Sequence, residues 1–157
     1  MKSSFFKHQN LILKVQNKSV TADTIESVIP QSFRGKEEFV QFYLSRNGVY
    51  FPEGAKISTE HFQGTDDEGY YELEIEFIYS IEHLAKMWKT AKENSDSMKI
   101  FAEKHIPFAR DAAGNEFYIE IPSGMIKYVS WEYGIEEGVV DVAHCFKDFC
   151  IEIKFLN

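Results

Sequence analysis

Metal-binding spacings are missing from this chain. The five histidines, His8, His61, His83, His105 and His144, show no HxxxH or HExxH spacing, and the two cysteines, Cys145 and Cys150, are not placed as zinc ligands. No metal is expected. A GxSxG nucleophile elbow, a GxxxxGK[ST] phosphate loop and a GxGxxG dinucleotide fingerprint are absent as well, so no cofactor is expected and the residues lean against an enzyme. No apolar run approaches the ~20 residues needed to cross a bilayer, which excludes a membrane-spanning helix from the reading. The opening residues, MKSSFFKHQNLILKVQN, hold neither a sustained apolar segment nor a small-residue cleavage site. A secretory signal is therefore not expected, and the chain reads as cytoplasmic.

Positive charge is also in short supply. Against 25 Asp and Glu stand 17 Lys and Arg, a formal net charge of -8. That balance excludes tight binding to a nucleic-acid backbone, where affinity comes mostly from neutralising phosphates. It suits a basic protein partner, which an acidic surface steers in, although a surface that only keeps the protein in solution is the preferred reading of the charge alone.

What is present is enough for one core. At 157 residues, with 44% hydrophobic residues and 14 Phe, residues 1–157 are expected to form a single domain. No linker of Pro, Gly and Ser and no solenoid-like repeat divides it. SVTADTIESVI offers Ser19 or Thr21 as the cap of a first helix carrying Ile25, Val28 and Ile29 on one face, and Pro30 stops it. KEEFVQFYLSRNG spaces Phe39, Val40, Tyr43 and Leu44 as a second helix, with Asn47-Gly48 suited to ending it in the left-handed conformation.

YELEIEFIY alternates Tyr71, Leu73, Ile75, Phe77 and Tyr79 with Glu72, Glu74, Glu76 and Ile78, a strand with one buried and one acidic face. Ser80 caps the next helix, whose stripe is Ile81, Leu84, Ala85, Trp88 and Ala91. MKIFAEKHI reads as a short helix or a turn leading to Pro107. NEFYIEI and MIKYVSWEY form a hairpin across PSG, and VVDVAHCFKDFCIEIKF reads as a closing helix in which Cys145 and Cys150, five apart, face away from each other as free thiols. The result is an α+β domain, an antiparallel sheet with helices packed against it.

Three places invite a chemical reading. In RDAAGNEF a calcium loop starting at Asp111 would need oxygen ligands where Ala113 and Pro122 stand, so the stretch reads as a tight turn before a strand. The segment TDDEGYYELEIE gathers Asp66, Asp67 and Glu68 in a loop beside Glu72, Glu74 and Glu76 on one strand face. Like charges two apart repel, and a basic partner would relieve them; a solvated outer face is the competing reading, and the one preferred. SWEYGIEEG sets Trp131 and Tyr133 among Glu132, Glu136 and Glu137, a second candidate interface, although a core position is preferred for Trp131. A hydrolase-type reading would rest on His105 or His144 paired with a carboxylate.

Taken together, VIPQSF, FVQFYLSRNG, IPFARDAAGNEFYIEI, a Gly-containing turn with VSWE, and VVDVAHCFKDFCIEI resemble the SUKH superfamily, also called SMI1/KNR4, over residues 20–153. Pro30, Asn47, Gly48, Pro107, Phe108, Ala109, Asp111, Gly114, Asn115, Phe146 and Phe149 match its pattern. The interval from Pro30 to Asn47 is longer than usual, and Val49 stands where a second glycine is the rule. The resemblance implies a non-enzymatic α+β interaction domain. It also implies one of two roles: a bacterial immunity protein that neutralises a toxin by binding it, or a regulator of cell-wall synthesis acting through an endogenous partner.

Overall fold

The computed structural model describes residues 5–7, 12–58 and 72–156, and in them one antiparallel sheet organises everything else. Seven strands follow one another in chain order: β1 (Lys14–Asn17), β2 (Asn47–Ser58), β3 (Glu72–Ile78), β4 (His105–Arg110), β5 (Glu116–Glu120), β6 (Ile126–Val129) and β7 (Val139–Ala143). An eighth, β8 (Lys154–Phe155), leaves that order and pairs with β2, Ala55 opposite Phe155. The helices are α1 (Ala22–Val28), α2 (Lys36–Ser45), α3 (Ile81–Lys92), α4 (Asp96–Glu103), the single turn α5 (Gly134–Glu137) and α6 (Phe146–Glu152). This is the expected α+β architecture, an antiparallel sheet with helices against it.

The sheet is covered on both faces at its centre. Phe117 and Tyr118 are consecutive on β5 and therefore point to opposite sides, yet both are fully buried. Phe117 packs against Phe149 of α6, and Tyr118 against Phe101 of α4. On the α6 side the rings of Phe39, Phe42, Phe108, Phe146 and Phe149 meet mostly edge to face, the arrangement their quadrupoles favour. On the other side Trp88 of α3 donates its indole N–H to the Ala102 carbonyl of α4 at 2.7 Å, which locks the two helices together.

Several local expectations hold. Thr21 and Ser80 cap α1 and α3 through their hydroxyls, each accepting an amide three residues on. Asp111 makes the expected turn: its Oδ1 accepts the amides of Ala113 and Asn115, both at 2.9 Å, while Gly114 takes φ +91°.

Others are corrected. The closing helix over 139–155 is three elements. Val139, Val140, Asp141 and Ala143 pair with β6 as β7, the extended backbone of Cys145 precedes the helix, only Phe146–Glu152 coils, and Lys154–Phe155 is the strand β8. β-branched residues beside an available strand edge favour the sheet over the helix their spacing also permits. Cys145 is thus the cap position of α6, and Cys150 is buried within it; both are free thiols.

Asn47-Gly48 does not end α2, which stops at Ser45; the pair opens β2. The residues around Pro107 belong to β4, with a bulge between Pro107 and Ala109. The second strand of the hairpin ends at Val129, four residues short of Tyr133.

Candidate binding cleft

The cleft is assembled from a row of side chains that run across the sheet. Register sets Tyr50 opposite Phe77, Phe77 opposite Arg110, and Arg110 opposite Glu116. Cross-strand partners share a face, so four neighbouring strands present ring, ring, guanidinium and carboxylate side by side. Tyr50 and Phe77 stack at 5.0 Å, and the Arg110 guanidinium lies 4.9 Å above the Phe77 ring. Arg110 also reaches Glu76 at 3.5 Å, the long limit of an ion pair.

Beyond this row the sheet opens into a cleft of about 680 Å³. Tyr79, Arg110 and Glu116 line it from the sheet, Met87, Ala91 and Met98 from α3 and α4, and Trp131, Tyr133 and Glu136 from the opposite side. Glu116 is nearly buried, and neutral hydroxyls satisfy it: Tyr79 donates to Oε2 at 2.7 Å and Tyr118 to Oε1 at 2.9 Å. Burial raises its pKa above the ordinary carboxylate value, against the opposing pull of the two tyrosine bonds and of Arg110. The same burial, together with the Glu116 charge, holds both tyrosines protonated far beyond neutral pH.

The lip facing α3 and α4 is a pinched excursion between β6 and β7. Ser130 donates its amide to Gly138 at 2.9 Å, and Gly138 donates to Gly134 at 2.7 Å. A side chain at Gly138 would meet the Ser130 carbonyl oxygen at 2.3 Å, so only glycine lets the base of the lip close. The lip is also anchored sideways, because the Trp131 amide donates to Asn115 Oδ1 at 2.9 Å, while Asn115 Nδ2 and the Tyr128 hydroxyl both donate to Asp111 Oδ2. The Asp111 turn holds the cleft's rim without itself lining it through a carboxylate.

The candidate residues fall in different places. Trp131 and Tyr133 are exposed on this lip, 38% and 62% open to solvent, which overturns the core placement of Trp131. Glu132, Glu136 and Glu137 are exposed beside them, and Glu136 lines the cleft. Asp66, Asp67 and Glu68 lie outside the described residues.

On β3 the acids do not stand as an unrelieved strip. Glu72 accepts Lys56 Nζ at 2.9 Å and lies 3.5 Å from Lys154 Nζ; the Lys56 bond, ahead of the weaker pull of Lys154, lowers its pKa. Glu74 faces Lys56 in register, and Glu76 has Arg110. Neighbouring strands already supply the relief that a basic partner was expected to bring.

His105 does stand beside a carboxylate, Nε2 3.5 Å from Glu120 Oε2, but outside the cleft. Its ring stacks on Phe101 at 3.8 Å, its Nδ1 donates to the Phe101 carbonyl at 2.8 Å, and burial lowers its pKa below the ordinary histidine value. Glu120 is engaged in turn by Ser123 and Lys127. His144 is exposed between β7 and α6, away from the cleft lining. Tyr79, Arg110, Glu116 and Tyr118 went unnoticed in the sequence because only strand register brings them together. Among the described residues no group of three or more His, Cys, Asp and Glu could hold a metal ion, and no helix is long and apolar enough to cross a membrane.

No protein-family model matches the chain, and no curated protein matches it.

Proposed function

We propose that the chain is a protein-binding module of the SUKH kind, acting as a bacterial immunity protein that neutralises a basic toxin domain by covering it. The observation that carries the reading is the exposed pair Trp131 and Tyr133, held on a braced lip among Glu132, Glu136 and Glu137 at the mouth of an open cleft. Exposed aromatics on a rigid support lose little entropy when they are covered, and such residues dominate interface energetics. The acids around them add attraction toward a basic surface and speed its approach. The internally paired acids of β3 are the weaker face for this role.

A hydrolase would need its acid and base in the cleft, and the His105–Glu120 pair lies outside it, which favours binding over catalysis. The test is capture from the host, comparing the wild type with a Trp131→Ala, Glu132→Lys, Glu136→Lys variant and a Glu72→Lys, Glu74→Lys, Glu76→Lys variant. The captured protein is then expressed alone and together with the chain. Loss of capture in the lip variant alone, with growth arrest relieved by co-expression, is the expected outcome. Capture of a harmless endogenous protein would favour the cell-wall or signalling regulator, and undiminished capture by the lip variant would sink the lip as the interface.

A further inference from the structure

The cleft behind the lip falls within the ~300–1,000 Å³ range of sites that enclose a ligand group, so a partner surface resting on the lip alone would leave it empty. Its walls carry three formal charges, and they are not equivalent. Arg110 already has Glu76 beside it and the Phe77 ring beneath it, and its Nε is shut away from solvent without a partner. Glu116 is hydrogen-bonded only by neutral tyrosine hydroxyls and shares the pull of Arg110 with Glu76; among the described residues no cation stands within ion-pair distance of Glu116 or Glu136, so one guanidinium faces two carboxylates in the lining. The unmatched charge in the cleft is therefore negative, and Glu132 and Glu137 on the same lip deepen it.

The rest of the lining fits a long side chain with a charged end. Met87 and Met98 are flexible and polarisable, suited to a methylene stem of any path. Trp131 at the rim, 38% open to solvent, offers its ring to a cation, an attraction of about 0.5–2 kcal/mol that grows as water is excluded. A planar guanidinium can use a ring face and a carboxylate at once, which a compact ammonium does less well.

Resting on the reading of the lip as a protein-binding face, we propose that the cleft is the socket for one arginine side chain of the partner, its stem against Met87 and Met98 and its guanidinium between Trp131 and Glu136. An anionic side chain is disfavoured here: it would meet two carboxylates for the single cation Arg110, which already has Glu76 beside it.

The test needs no partner. A blocked Gly-Arg-Gly peptide is titrated into the full chain while the indole N–H signals are followed by nitrogen-15 NMR, with Gly-norleucine-Gly and Gly-Glu-Gly peptides as controls. Trp131 reports the cleft, and Trp88, tied to Ala102, serves as the internal reference. The expected result is a saturable Trp131 shift with the arginine peptide alone, half-complete near about 10 mM, weakened by salt and about fivefold by Glu136→Gln, an exposed substitution that leaves the fold intact. A shift with the glutamate peptide, equal shifts with all three, or none with arginine would overturn the proposal. If host capture depends on Trp131 while the arginine peptide leaves its indole unmoved, the lip reading survives and the arginine socket falls. If the peptide binds and no partner is captured, the socket stands and the immunity reading falls.

Discussion

Asn47 accepts the amide of Ile81 on its Oδ1 at 2.8 Å, and through Nδ2 it donates to the Lys18 carbonyl at 2.9 Å and to Glu82 at 2.8 Å. One buried side chain thereby joins the end of β1, the start of β2 and the first turn of α3. Asn47→Ala leaves the Ile81 amide and the Lys18 carbonyl without these partners. A loss of about 2–4 kcal/mol is expected, read as a lower urea midpoint at unchanged slope; a loss under about 1 kcal/mol would mean water replaces the side chain there.

The neighbouring glycine allows a comparison. Gly48 takes φ +86°, and an added Cβ would lie 2.6 Å from the Ser80 amide nitrogen; Gly114 takes φ +91° but faces open space. Both alanine variants suffer the backbone strain of about 1 kcal/mol or more, and only Gly48→Ala adds a clash with main chain. The melting temperature should fall clearly further for Gly48→Ala than for Gly114→Ala, and equal falls would discount the close approach.

Glu116 predicts a pH dependence. Burial raises its folded pKa, so between the ordinary carboxylate value and the raised one the folded state holds more protons than the unfolded. Its contribution to stability is fully present below that window and declines as pH rises through it. Glu116→Gln cannot titrate, so the melting temperature of the variant minus that of wild type should be more positive at about pH 7.5 than at about pH 4. A difference that does not change with pH would contradict the burial argument.

Stability and binding should separate along the chain. Phe146 is fully buried among Phe39, Phe42 and Phe108, and Phe146→Ala should cost about 3–5 kcal/mol. Trp131→Ala should change stability by no more than about 0.5 kcal/mol while abolishing partner capture. A Trp131→Ala variant that unfolds would return that residue to the core.

The brace of the lip is open to test through hydrogen exchange. Asn115→Ala removes the acceptor of the Trp131 amide at a cost of about 1 kcal/mol. The Trp131 amide should then exchange markedly faster while the central strands keep their protection.

How legible all this was depended on which faces are buried. α3 announced itself because one stripe faces the core and lysines face water, and the hairpin because PSG marks its turn. β4 did not, since Ile106, Pro107, Phe108 and Ala109 are all buried and leave no alternation to read. In β2, Pro52 and Gly54 interrupt the pattern where the register against β3 shifts between Tyr50 and Ala55. β7 and α6 merged into one apparent helix because valines and phenylalanines happened to share helical spacing across the break at Cys145.

The site followed the same logic. SWEYGIEEG was visible as aromatics among acids, but exposure could not be told from burial without the pinch at Gly138. The pairing of Arg110 with Glu116 is a matter of strand register, which no local pattern carries. The acidic strip on β3 was legible, while the lysines that neutralise it are set by register, one from β2 just before it and one from β8 at the far end of the chain.

Strand order that copies chain order has a consequence for how quickly the molecule finds itself. From β4 to β7 each pair closes a short loop, so that half of the sheet can zip from neighbour to neighbour with little entropy lost per step, whereas helix pairs stand between β1 and β2 and between β3 and β4. The segment from Phe146 to Phe155 breaks that economy. α6 must seat its two phenylalanines beneath strands laid down well before it, and β8 must come back to Ala55 across most of the chain. The return of β8 to β2 closes the longest loop in the sheet, and until α6 is seated the rings of Phe108 and Phe117 lack their Phe149 cover, leaving an apolar surface on which chains can collect.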